Sequence, residues 1–245
     1  MELVGVDLLR TPRRCDRIGS KLTIPEEFLA INTNDAVVPP LFIVNCQIPS
    51  EFQSSLSSVF STTEITDGPG FSLVYYFRVT PETASAIADL STAPAAVKLF
   101  VQYCRHAPEL DHEPTSSWKG RFKAMFRSEN MAEFGFPSFI TSYNAKPTLI
   151  NRTGKLYRDT DPSNRFLEMD INLHKFAVVA KKGLQILLPY FEQMDVSCGF
   201  CIESLTDAEM PECLFGVAAL TKLSYKIAPE WDSEADVLEK ETGPN

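Results

Sequence analysis

A chain of 245 residues, 44% hydrophobic and 22% charged, has the composition of a folded protein with a substantial core, which excludes disorder over most of its length. A net charge of −9 excludes nucleic acid as a general partner, since phosphate binding needs a basic surface. No apolar run approaches the roughly 20 residues that span a bilayer, and the opening residues lack the apolar core of a secretory signal.

In chain order, residues 1–39 read as an irregular basic segment, its charge concentrated between Arg10 and Lys21, where Arg10, Arg13, Arg14, Arg17 and Lys21 face Asp16 alone, a local +4. Leu41 to Ile48, an apolar run bounded by prolines, predicts a buried strand. Asp67-Gly-Pro-Gly70 marks a turn, and Phe71 to Val79 a second strand able to pair with the first as a long-looped hairpin. Helical patterns follow over 82–90 and 95–107. From Arg165 to Phe176, Leu167, Met169, Ile171 and Leu173 alternate with Glu168, Asp170, Asn172 and His174. This period of two predicts a strand with one buried apolar face and one solvated polar face. Apolar residues from Phe176 to Phe191 recur at helical spacing, and Pro189 should end or kink that helix. Val196–Glu203 alternates again, so strand, helix and strand predict a βαβ unit. Thr206 and Glu209 have the spacing of a capping box, and Phe215 to Ile227 reads as a long last strand. The acidic residues 229–245 read as a disordered tail. With no linker or repeat, the fold expected is a single α+β domain over 40–228: a largely antiparallel or mixed sheet with packed helices and room for an apolar pocket.

Several patterns carry chemical suggestions. Cys198-Gly-Phe-Cys201 has the spacing of redox and zinc sites, but on a strand its thiols would point to opposite faces, so neither metal nor cofactor is expected. Six scattered cysteines then read as free thiols of a cytoplasmic chain. Glu168, Asp170 and His174 have the chemistry of a metal or acid–base site; the preferred reading is a solvated strand face, or polar residues hydrogen-bonded to a neighbouring strand, since alternate strand residues sit too far apart to chelate unaided. Trp118 to Arg127 interleaves four cations with three aromatics. That composition suits anionic head groups, or a core whose cations reach out to water. His106 and His112 read as surface residues. No nucleophile elbow, phosphate loop or zinc-protease motif occurs.

Leu41-Phe-Ile-Val-Asn-Cys-Gln-Ile-Pro49, Phe71 to Phe77, Gly120-Arg-Phe-Lys123, Asn144-Ala-Lys-Pro147, Phe166 to His174 and Met210 to Gly216, in this order, resemble the C-terminal domain of the enhanced disease resistance 2 family, over about Val4 to Ile227. In plants this domain usually follows pleckstrin-homology and START lipid-transfer domains, neither of which this chain carries. Met131 to Thr141 also departs from the family's glycine-tryptophan pattern. The resemblance implies lipid-linked work near membranes and carries over no catalytic residues. The expected function is a non-enzymatic, regulatory domain for a lipid or other hydrophobic ligand, meeting anionic membranes weakly through Arg10–Lys21 and Trp118–Arg127. The alternatives are a domain that docks a protein partner, and an enzyme using Glu168, Asp170 and His174. Candidate ligand-binding residues are Asn45, Gln47, Arg121, Lys123, Glu168, Asp170 and His174.

Overall fold

The computed structural model describes residues 1–35, 37–52, 67–108, 118–159 and 165–231. Prolines and the Gly-Pro-Gly turn bound the first hairpin as expected. Strand β2 (Leu41–Pro49) runs antiparallel to β3 (Gly70–Arg78), with Leu41 opposite Arg78 and Pro49 opposite Gly70. At Gly70 a Cβ would lie 2.2 Å from the carbonyl oxygen of Ile48, so only glycine allows the strands to close there.

The opening residues are not irregular. Glu2–Thr11 form β1, a ten-residue strand on the free edge of β3, which corrects the expectation for residues 1–39. Leu3, Val4, Val6, Leu8 and Leu9 contribute to apolar clusters on the two faces of this sheet. Strand β7 (Phe166–Asn172) runs parallel to β2 and pairs antiparallel with β6 (Gly154–Arg158), completing a five-stranded sheet in the order β1-β3-β2-β7-β6. A second sheet, in the order β5-β4-β8-β9, is antiparallel throughout. It contains β4 (Phe122–Ser128), β5 (Thr148–Leu149), β8 (Val196–Ile202) and β9 (Leu214–Leu220).

The expected βαβ unit is absent, because β7 and β8 belong to different sheets. The helix between them carries the chain from one layer to the other. The last strand ends at Leu220 rather than Ile227, soon before Lys222 takes a left-handed φ of 55° that extended backbone does not adopt.

Among the described residues the helices are α1 (Pro81–Ala88), α2 (Ala95–His106), α3 (Ser138–Thr141) and α4 (Val178–Leu187). Thr80 caps α1 by accepting the Thr83 N–H, and α4 gives way to a tight turn at Leu188–Tyr190, where Pro189 lacks the N–H to continue it. Thr206 makes no cap. The Glu209 carboxylate instead accepts the Leu205 N–H.

The sheets face one another across an aromatic core. Phe42, Tyr75 and Phe77 meet Phe122, Phe200 and Phe215 at centroid separations such as 5.1 Å (Phe42–Phe215) and 5.7 Å (Phe77–Phe200). From α2, Phe100 stands 5.9 Å from Phe42. Each such ring stabilises the fold by about 1.5–3 kcal/mol through burial, and edge-on pairs add about 0.5–1.5 kcal/mol. The other face of the five-stranded sheet is also covered. Cys15, Ile18 and Ile24, with Leu22 and Phe28, pack on Leu41, Ile43, Val74, Tyr76 and Phe166. Burial on both sides explains why β2 reads as an unbroken apolar run.

The first residues of the expected disordered tail are ordered. Arg10 N–H donates to Pro229 O at 2.8 Å and Trp231 N–H to Arg10 O at 2.8 Å, so Pro229 to Trp231 lie against β1; residues 232–245 are outside the described residues, as is His112. No helix among the described residues is long and apolar enough to cross a membrane.

Candidate ligand cavity and the buried polar clusters

Between the two sheets, beyond the aromatic core, lies a cavity of about 380 Å³, within the range of small-molecule sites. Its walls come from segments distant in sequence. Cys46, Ile48, Leu73, Tyr75 and Ile171 come from the first sheet, Ala124, Phe126, Val196, Cys198 and Phe200 from the second, and Ile140, Gly183, Leu184 and Leu187 from α3 and α4. Inside, Tyr75 O–H donates to Cys198 Sγ at 3.2 Å. Burial raises Tyr75 well above its usual value and pushes the Cys46 and Cys198 thiols up, so the interior holds neutral groups at neutral pH.

The residues that both line the cavity and reach solvent define its mouth: Phe139, Tyr143, Thr148, Ala177, Val179 and Ala180, with Lys146, and with the partly buried Lys181 beside them. An apolar interior with a cationic rim matches an amphiphile whose anionic end stays in water.

None of the seven sequence-predicted site residues lines this cavity. Four converge on the opposite face of the first sheet. Asn45 and Asp170 are neighbours across β2 and β7, as are Gln47 and Asn172, and all four are buried with Glu168. The polar face of β7 is therefore not solvated, a correction to the period-two reading. Its cover is the chain around residue 18. Arg17 takes a left-handed φ of 55°, which turns three successive N–H groups the same way. Arg17 N–H donates to Asp170 Oδ2 at 2.9 Å, Ile18 N–H to Glu168 Oε1 at 2.8 Å, and Gly19 N–H to Glu168 Oε2 at 2.9 Å. This is an anion-binding nest filled by the protein's own carboxylates. Gly19 is needed for the approach, because a Cβ there would fall 2.6 Å from Ile43 Cδ1. Asn45 Nδ2 bridges Cys15 O and Asp170 Oδ1, and Gln47 Nε2 bridges Cys15 O and Asp16 Oδ1.

Burial raises both carboxyls. Asp170 is raised furthest, by desolvation and then by the charge of Glu168, to which it is hydrogen-bonded, so the pair shares a proton. His174 lies in the turn after β7 and is buried. Desolvation, aided by Arg14 and Lys181 against Asp67, lowers its pKa and favours the neutral ring. The carboxylate oxygens that sequence reasoning offered for catalysis hold backbone N–H groups beneath a closed cover.

Arg121 and Lys123 form a separate cluster. The Arg121 guanidinium stacks 4.0 Å from the Trp118 ring centroid, donates to Glu203 O and pairs with Glu209 at 2.6 Å. Lys123 pairs with Glu212 at 2.9 Å and Glu203 at 3.2 Å. Partial burial opposes ionisation of Glu209 and Glu212. The cations and nearby N–H groups outweigh it and hold both carboxyls below their ordinary values. These cations tie Gly120–Lys123 to the β8–β9 connection. Cys198 and Cys201 are both free and point to opposite faces, Cys198 into the cavity and Cys201 toward Lys123 and Glu212.

Sequence reasoning missed the cavity wall itself, which is shared among strands and two helices. One signal for its mouth was available: residues 134–158 and 171–191 contain no acidic residue.

The chain matches the family described as Protein ENHANCED DISEASE RESISTANCE 2, C-terminal, over residues 1–224, and it belongs to that family. The match begins at residue 1, so β1 and the nest lie inside the family's span. Neither a curated protein nor a solved structure matches the chain.

Proposed function

We propose that this chain is a non-enzymatic binding domain that holds the hydrocarbon part of an anionic amphiphile, such as a fatty acid or phospholipid, between its two sheets. The observation that carries this reading is the neutral cavity of about 380 Å³ with lysines only at its mouth. The acidic cluster of Glu168 and Asp170 offers a substrate no comparable space, because its oxygens serve the fold. A regulatory role near membranes follows if the cargo is a membrane lipid. The cations first suggested for membrane contact support it less, since Arg14, Arg121, Lys123 and Arg127 are paired with Asp16, Glu209, Glu212 and Glu129.

Titration with cis-parinaric acid, a fatty acid that fluoresces on entering an apolar site, tests the reading. Stoichiometric binding is expected. Ala124→Phe, which fills the wall, and Ala180→Trp, which narrows the mouth from an exposed position, should each abolish it. Absence of binding by the parent protein, or binding untouched by both substitutions, overturns the proposal.

A further inference from the structure

The mouth of the cavity lies in the part of the chain whose charge differs most from the whole. At 32 acids in 245 residues, the 46 residues of 134–158 and 171–191 would carry about six acids on average; they carry none, and hold seven Lys and Arg. Four of these, Lys146, Lys175, Lys181 and Lys182, lie on or beside the helices α3 and α4 that frame the mouth. None of the four is ion-paired among the described residues. Lys181 donates to His174 O and Lys182 to Gln185 Oε1, both neutral acceptors. Of the four acids that bound the two segments, Asp170 is buried in the nest, Asp159 follows β6, and Glu133 and Glu192 neighbour Phe134 and Phe191. Phe134 packs on Tyr190, beyond the other end of α4, at 5.5 Å.

Apolar side chains are exposed among these cations. Val178 is 72% exposed, Tyr143 62% and Val179 52%, in the first turn of α4 and just after α3. An exposed apolar patch ringed by lysines, on a chain of net −9, is complementary to a surface that is both anionic and apolar beneath. A soluble anion would need no exposed valines, and an acidic protein would satisfy the lysines but not the cavity that opens between them.

We infer that the face formed by the start of α4, α3 and Lys146 docks on an anionic lipid bilayer, with Val178, Val179 and Tyr143 entering the interface and the lysines on lipid phosphates. The cavity then opens directly onto the membrane, so that a lipid moves between bilayer and protein without crossing water. This inference rests on the cavity being a lipid site and adds where its cargo is exchanged.

The test is vesicle flotation with phosphatidylcholine vesicles, with and without phosphatidylserine, run beside the cis-parinaric acid titration in vesicle-free buffer. The parent protein should float with the anionic vesicles only. Each juxtamembrane cation contributes on the order of 1 kcal/mol, so Lys175→Glu with Lys182→Glu should weaken flotation by about tenfold or more. Val178→Asp should weaken it as well. All three positions lie outside the cavity wall, so probe uptake should be unchanged. Lys98→Glu with Arg105→Glu on α2, an equal change of charge away from the cavity, should leave flotation intact. Flotation that is absent in the parent protein, indifferent to the α4 substitutions, or lost equally in the α2 variant overturns the docking face. Flotation that depends on α4, from a protein that takes up no probe, keeps the docking face and overturns the cavity reading instead.

Discussion

Glu168→Gln isolates the nest around residue 18. The glutamate is fully buried, and each of its oxygens accepts one backbone N–H, from Ile18 at 2.8 Å and Gly19 at 2.9 Å. Glutamine has the same shape but one acceptor oxygen, so in either orientation an NH₂ group faces an N–H donor. A buried donor without an acceptor costs about 1–3 kcal/mol, and loss of charge assistance in the surviving bond adds about 1 kcal/mol. The expected loss is about 2–4 kcal/mol, a large share of the roughly 5–15 kcal/mol that stabilises a typical domain. Urea unfolding, followed by the fluorescence of Trp118 and Trp231, should show a lower midpoint with an unchanged slope. Hydrogen exchange should show lost protection at the Ile18 and Gly19 amides in particular. A change below about 0.5 kcal/mol, with those amides still protected, would refute the assignment of Glu168 as their anchor.

Asp170→Asn should change how stability depends on pH. Its folded pKa is raised, so the native state holds a proton that the unfolded chain releases above about pH 4; this contribution is complete below that pH and fades as pH rises. The parent protein should therefore lose stability relative to Asp170→Asn as pH rises above about 4, and a difference independent of pH would contradict the shared proton. Ile171→Ala removes a wall residue beside existing space, so its cost should sit near about 2 kcal/mol. Phe122→Ala, packed among Phe42, Tyr103 and Phe200, should cost about 3–5 kcal/mol; equal unfolding midpoints would contradict the cavity's position. Thiol labelling of the native protein should find one fast cysteine, the exposed Cys213, and Cys213→Ser should remove it; rapid labelling of Cys46 or Cys198 would contradict the protonated state in which desolvation holds their thiols.

Local signals located most of the elements. Prolines around β2, the Asp67–Gly70 turn and Pro189 after α4 act on adjacent backbone, so their effects were legible without knowledge of the fold. Alternation along β7 correctly placed Leu167, Met169 and Ile171 in the core, but period two only says that the faces differ. What covers the polar face was decided by Arg17, Ile18 and Gly19, about 150 residues earlier, and no periodicity reports that. A sharper reading was available in β2, where Asn45 and Gln47 interrupt an apolar run at the same spacing as Asp170 and Asn172. Polar residues at matching positions of two strands, one of them otherwise apolar, point to a buried hydrogen-bonded face. An apolar pocket was expected, but its walls were not legible, because they come from segments whose packing depends on the separation of two sheets.

The nest also imposes an order on the life of the chain. Ile18 emerges from the ribosome 150 residues before the carboxylate that will hold it. At the usual pace of synthesis, about 5–20 residues per second, that is a wait of about 8–30 s. β1 can zip onto β3 much sooner, but the stretch beyond it has only half a platform until β7 has been made and has settled beside β2. Arg17, Ile18 and Gly19 are thus made well before β7 and fastened only after it, and a nascent chain shows the polar residues of β2 to the cell until they are.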